Sequence, residues 1–212
     1  MPAGVLTPDV PRRQVRARHD GTTLTVYQAY PAEIAELALR AGRFVPPFKR
    51  ERMTWIKPSF LWMAYRCGWA TKPGQEVVLA VDIDRSGFEW AIANSCLSDH
   101  DRSGSEDRAA WRQRLRASPV RVQWDPERDL MLRPQSHRAI QVGLSGEAVA
   151  RYVDEWIQNI RDVTGLMHDV ETALRSGDID RARALLPVED PYLLSPDLAA
   201  RIGADTNGQR HS

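Results

Sequence analysis

The spacing of apolar residues changes several times along the chain, and each change marks an element. In VRARHDGTTLTVYQAY, residues 15–30, two alternating runs flank Asp20-Gly21. That pair favours a tight turn, so the segment predicts a hairpin. Over residues 24–30 a period of two puts Leu24, Val26 and Gln28 on one face and Thr25, Tyr27 and Ala29 on the other. From Pro31 the period lengthens. Ile34, Leu37 and Ala38 make a stripe at threes and fours, with a proline suited to the helix start and Gly42 to its stop. A rigid Pro46-Pro47 turn leads to a short strand around residues 53–56. Pro58-Ser59 then opens a helix on which Trp62, Tyr65 and Trp69 share a face. EVVLAVDI has six apolar residues in eight, the density of a central strand.

The second half begins with a short helix, RSGFEWAIANSCL, and a polar excursion over residues 98–108. WRQRLRASP extends from it as a helix, VRVQWD and RAIQVGL read as strands, and DPERD reads as a turn. From Ser145 to Gly177, Val149, Tyr152, Val153, Trp156, Ile157, Ile160, Val163, Met167, Val170 and Leu174 recur at threes and fours. This predicts one long helix, capped by Ser145 and kinked at Gly165. Asp178 caps a last short helix, which Pro187 ends. The expected fold is α+β: a single domain over residues 15–190 with a central mixed or antiparallel sheet, flanking short helices and a long C-terminal helix. Residues 1–14 read as a flexible N-terminal arm and 191–212 as a weakly ordered tail. There is no regular βαβ rhythm.

Composition adds limits. The chain has 212 residues, 42% hydrophobic and 27% charged, with a formal charge of +1. That is enough chain for a core without metal or disulfide staples, with no global steering toward nucleic acid or membrane. Cys67 and Cys96 are the only cysteines, and their spacing suits neither a disulfide framework nor a metal site. The N-terminal MPAGVLTPDVPRRQ lacks the apolar core of a signal peptide, and no stretch approaches 18 apolar residues. A reducing cytoplasm is the expected location.

Charge is local rather than global. Residues 40–72 hold Arg40, Arg43, Lys49, Arg50, Arg52, Lys57, Arg66 and Lys72 against Glu51, a local charge of +7, with seven of the chain's 16 aromatic residues. Arginine forks match phosphate oxygens, and flat rings stack on bases. The prolines would hold the segment stiff and lower the ordering cost of binding. The competing reading is that the helix-spaced rings are core and the charges a solvated face. Trp55, placed between cations, is the ring expected to stack on a ligand, with Arg50, Arg52 and Lys57 on its phosphates.

Other polar residues read more blandly. Asp82 and Asp84 share a strand face and could hold a metal or exchange protons, but a solvated strand end with Asp84 capping a helix is the simpler account. Glu147 reads as a first-turn helix carboxylate. His137, between Arg133 and Arg138, could reach a phosphate or ribose hydroxyl or sit at the surface. The five histidines form no cluster, and no metal is predicted.

VYQAYPAEIAELALRAGRFVPPFKRERMTWIKPSFLWMAYRCGWATKPGQE, VQWDPERD and IQVGLSGEAVARYVDEWI resemble an uncharacterised bacterial and fungal family, domain of unknown function 4291, over roughly residues 12–190. That resemblance implies no activity. A more remote one is to the ADP-ribosyltransferase superfamily, through Tyr27-Gln28-Ala29-Tyr30, the helix ending at Gly42, and residues 52–56. It implies an enzyme acting on NAD or on a phosphorylated nucleotide or RNA end. Gln28 and Gln141 would stand where that superfamily places its NAD-orienting Arg or His and its late-strand Glu. Tyr27, Gln28 and Gln141 would orient the ribose, and His137 would carry protons. Two alternatives stay open: a non-catalytic nucleotide- or nucleic-acid-binding module, and a protein-interaction domain using the Trp-rich segment as its interface.

Overall fold

The structure, a computed structural model, describes residues 10–100 and 107–205. The strands are β1 (Arg16–Ala17), β2 (Thr23–Tyr30), β3 (Thr54–Ile56), β4 (Val77–Asp84), β5 (Ser95–Leu97), β6 (Val120–Arg128), β7 (Pro134–Leu144), β8 (Ile157–Asp162) and β9 (Asp190–Pro191). The helices are α1 (Ala32–Ala41), α2 (Phe60–Cys67), α3 (Arg85–Ala93), α4 (Arg108–Ala117), α5 (Glu147–Arg151), α6 (Thr164–Arg175), α7 (Ile179–Leu185) and α8 (Pro196–Ile202). The fold is α+β. A three-stranded antiparallel sheet runs β2-β4-β8, and a four-stranded sheet runs β3-β7-β6-β5 with only β5 and β6 parallel. The Tyr27 N–H donates to the Lys57 carbonyl at 2.7 Å and ties the two sheets together.

Local signals place most elements. Gly42 and Gly68 take left-handed conformations that end α1 and α2, and the Ser59 hydroxyl accepts from the Trp62 N–H at the start of α2. Strand β4 lies between β2 and β8, as its apolar density predicts. Strand β2 divides two cores along its alternation. Leu24 and Val26 join Phe44, Ile83, Phe88 and Tyr152, while Tyr27 joins Phe60, Met63, Met167 and Val170.

The long helix over residues 145–177 does not form. α5 passes into a π-helical turn, Tyr152–Trp156, then into β8, and only α6 resumes the helix. The reason is a bulge. Ile83 pairs with Ile157, Asp82 with Asn159 and Val81 with Ile160, so the register shifts at Gln158. The extra residue turns Ile157 and Ile160 to the same core face, which gives a strand a helix-like spacing of three. Without β8, β4 would be an open sheet edge. The same strand supplies the partners of the paired aspartates. Asp82 accepts from Arg161 at 2.8 Å and from Thr25 at 2.7 Å, and Asp84 accepts from Gln158 at 3.0 Å rather than capping α3.

The tail expectation also changes for the residues described. Tyr192 is buried, donates to Glu89 at 2.6 Å and accepts from Arg85, while α8 docks through Ile202, whose carbonyl accepts from the Trp124 indole at 2.8 Å. Residues 190–205 thus close one side of the first core. Residues 206–212 and the first nine of the arm lie outside the described residues. Trp69 leaves the expected helix face, because α2 stops at Gly68 and Trp69 lies beyond it at φ 56°. Strand β6 runs on through Pro126 to Arg128, so the turn falls at residues 129–132 instead of over DPERD. Among the described residues no helix is long and apolar enough to cross a membrane.

Candidate nucleotide site

Where the two sheets meet, β2, β3, β6 and β7 enclose one side of a cleft of about 790 Å³, closed on the other by α1, α2 and residues 47–53. Its floor begins with Gln28. This buried amide donates to the Tyr30 hydroxyl at 2.9 Å and the Trp55 carbonyl at 3.2 Å, and accepts from the Tyr152 hydroxyl at 2.6 Å. An unpaired amide here would cost about 1–3 kcal/mol, so the network is fully satisfied and stiff. Burial pushes the Tyr30 and Tyr152 hydroxyls well above their ordinary pKa, so both stay neutral.

Trp55 lies flat against β7. A Cβ on Gly143 would sit 3.0 Å from two atoms of its indole and 3.0 Å from the Met53 sulfur. A glycine at this strand position is what lets the ring lie across the sheet. Beside it, Gln123 on β6 faces Gln141 on β7. Gln123 donates to one oxygen of Asp125 at 2.9 Å, and Gln141 donates to the other. A carboxylate only accepts, so both amides must turn their NH2 groups to Asp125. Their carbonyl oxygens are then free to accept from a ligand.

The cations follow the rim. Lys49, Arg52, Lys57 and Arg66 line the cleft, with Glu33 the lone acid among its lining residues. Among the described residues no carboxylate lies within 4.0 Å of any of the four. Lys49, Arg52 and Arg66 are exposed at the mouth, whereas Lys57 is only 6% exposed. Its ammonium reaches the Trp55 carbonyl at 3.4 Å. Burial first, and the Arg66 charge second, lower its pKa to about 8, against an opposing pull from Asp125.

Of the eight residues singled out in the sequence, Gln28, Arg52, Trp55, Lys57 and Gln141 meet in this cleft. Three do not line it. The Tyr27 ring points into the second core, edge-on to Phe60 at 5.5 Å. Arg50 is clamped by both oxygens of Asp154, 2.7 Å at the longer contact, so its fork is occupied. His137 shares a β7 face with Gln141 but lies four residues, roughly 13 Å, along the strand. It is half-buried, and burial and Arg16 hold its pKa below the usual range. Sequence reasoning missed Asp125 and Gln123. A signal existed: they sit two apart in VQWDPERD, hence on one strand face, but that face could not be matched to Gln141 without the register.

The sequence matches the family described as Domain of unknown function (DUF4291) over residues 14–192. The chain belongs to this family. No curated protein matches it. Membership in DUF4291 brings no activity with it and gives no support to the resemblance to ADP-ribosyltransferases. The matched span takes in every cleft residue named above. Among the described residues no three His, Cys, Asp or Glu side chains converge as metal ligands.

Proposed function

We propose that the cleft binds a phosphorylated nucleotide, NAD or the phosphorylated end of an RNA, and that the protein is an ADP-ribosyltransferase-like enzyme acting on it. The observation that carries the reading is the lining: four cations, without carboxylate partners among the described residues, surround a flat indole and two amide oxygens held outward. Each element has a use. Arg52 and Lys49 face phosphate oxygens from the mouth, where charge-assisted bonds contribute about 1.5–3 kcal/mol each. Trp55 offers a stacking face. The Gln123 and Gln141 oxygens accept from ribose hydroxyls or a base amino group. Gln28 acts through Trp55, whose main chain it holds. Two free, buried cysteines fit a reducing cytoplasm.

A second reading, a binding module without turnover, is favoured by one feature. The imidazole expected to move protons, His137, does not line the cleft. The interaction-domain reading draws less support. Phe44, Phe48, Phe60, Trp62 and Trp69 are all buried, which leaves Tyr65 as the exposed ring of the segment.

Calorimetry with NAD, ADP and phosphorylated RNA oligonucleotides at low and high salt tests the reading, with release of nicotinamide from NAD measured in parallel. Binding that weakens with salt, and at least tenfold with Arg52→Glu, is expected. Failure of all three ligands to bind at low salt refutes it. Binding without any turnover leaves the module.

A further inference from the structure

We propose that Lys57 is an amine nucleophile, and that the cleft takes a ribose phosphate whose C1′ condenses with the Lys57 Nζ as an imine. This rests on the phosphate-binding reading of the cleft and adds the reacting atom.

The chain has 26 arginines and three lysines. Guanidinium serves almost everywhere that a cation is needed, and it cannot release its proton. Lysine is kept at Lys49 and Lys57, both in the cleft, and at Lys72, which donates to the Arg66 carbonyl at 2.7 Å past the end of α2. Lys57 is the one that is buried.

The surroundings of Lys57 disfavour a fixed charge. The Trp55 carbonyl at 3.4 Å is a long contact for a hydrogen bond, and no carboxylate is within 4.0 Å among the described residues. Asp125 is the acid that acts on it from β6, and both its oxygens already accept from glutamine amides. From α2 it meets Arg66, a like charge, and the Cys67 thiol. A permanent ammonium would be poorly placed here, whereas a neutral amine with a free lone pair suits the site. With its pKa at about 8, its neutral fraction at pH 7 is roughly 300-fold that of an ordinary lysine.

The cleft also offers a seat for the ligand. Arg52 and Lys49 at the mouth can hold a phosphate, and the amide oxygens of Gln123 and Gln141 can accept from sugar hydroxyls. The aldehyde of the open-chain sugar can then meet the amine. Nζ adds its lone pair to C1′, the carbonyl oxygen takes a proton from the nitrogen, and a carbinolamine forms. Loss of that oxygen as water, with the second nitrogen proton, leaves the C=N bond. No oxidant, reductant or further reactant is needed.

The test treats the 212-residue chain with ribose 5-phosphate and cyanoborohydride, which reduces an imine to a stable amine. The three lysines and the N-terminus are then mapped by mass spectrometry. Lys49 and Lys72 act as internal standards, so the result does not depend on a variant folding. The expected outcome is at least tenfold preferential modification of Lys57, a rate rising with pH through about 8, protection by ADP, and no adduct at that position in Lys57→Arg. Equal modification of all three lysines, or none at Lys57, overturns the proposal. Equal rates with ribose lacking the phosphate overturn the phosphate seat. ADP binding without a Lys57 adduct removes the nucleophile and keeps the nucleotide reading. A phosphate-dependent adduct without binding of NAD, ADP or RNA keeps the nucleophile and removes the nucleotide.

Discussion

Replacing Lys57 by methionine should stabilise the protein while emptying the cleft of its deepest cation. Burial takes the amine from 10.5 to about 8. At about 1.4 kcal/mol per unit, holding it charged costs the folded state about 3 kcal/mol. Methionine follows the same unbranched stem, gives up only the 3.4 Å contact to the Trp55 carbonyl, and leaves the main-chain bond from Tyr27 intact. The direction with pH follows from the folded value lying below the unfolded one. Below pH 8 the amine is charged in both states and the cost is complete. Between about 8 and 10.5 the folded amine is neutral while the unfolded one still binds a proton, and the cost fades. Urea unfolding of both proteins at pH 6.5, 8, 9.5 and 10.5 reads this directly. The transfer gain of a thioether is the same at each pH, so the part that varies with pH is the signal. The expected gap is about 3 kcal/mol larger at pH 6.5 than at pH 10.5. A variant less stable than wild type at pH 6.5, or a gap that does not change with pH, would refute the reasoning. It would mean that Asp125 satisfies the ammonium as an ordinary buried ion pair.

Three further outcomes follow from particular contacts. Glu189 accepts from the Phe60 N–H at 2.7 Å, and burial, with Glu127 nearby, raises its carboxyl to about 8. Stability from this group is therefore lost as pH rises from about 4.5 to 8, and Glu189→Gln, which keeps an acceptor, should gain about 2 kcal/mol at pH 8 and little at pH 4 once screening is allowed for; destabilisation at pH 8 contradicts this. A Cβ on Gly87 would lie 2.4 Å from Trp156, so Gly87→Ala should cost about 3 kcal/mol in urea unfolding, and a loss under 1 kcal/mol would show that the indole is not seated there. Asp125→Leu removes the acceptor that turns both glutamines outward. It should weaken nucleotide binding about tenfold, roughly one hydrogen bond's worth of free energy, and an unchanged dissociation constant counts against the role given to those amides.

Signals carried by neighbouring residues were legible in the sequence. Pro31 and Gly42 bound α1, Ser59 caps α2, the apolar run of β4 marks a central strand, and alternation along β2 assigns its faces. Each depends on backbone preference or side-chain period within a few residues, which the chain carries whatever it packs against. The basic aromatic segment was legible too, and it does supply Lys49, Arg52, Trp55, Lys57 and Arg66 to the cleft. What the tertiary structure decided depends on partners distant in the chain. A bulge against Ile83 made a strand of residues that keep helical spacing. Asp154 took Arg50 from across 104 positions, and the register of β6 on β7 set Gln123 against Gln141 with Asp125 between them. Tail residues 190–205 found order in Trp124 and Glu89. Local preference cannot report these because their free energy comes from burial and pairing that exist only once both strands are in place.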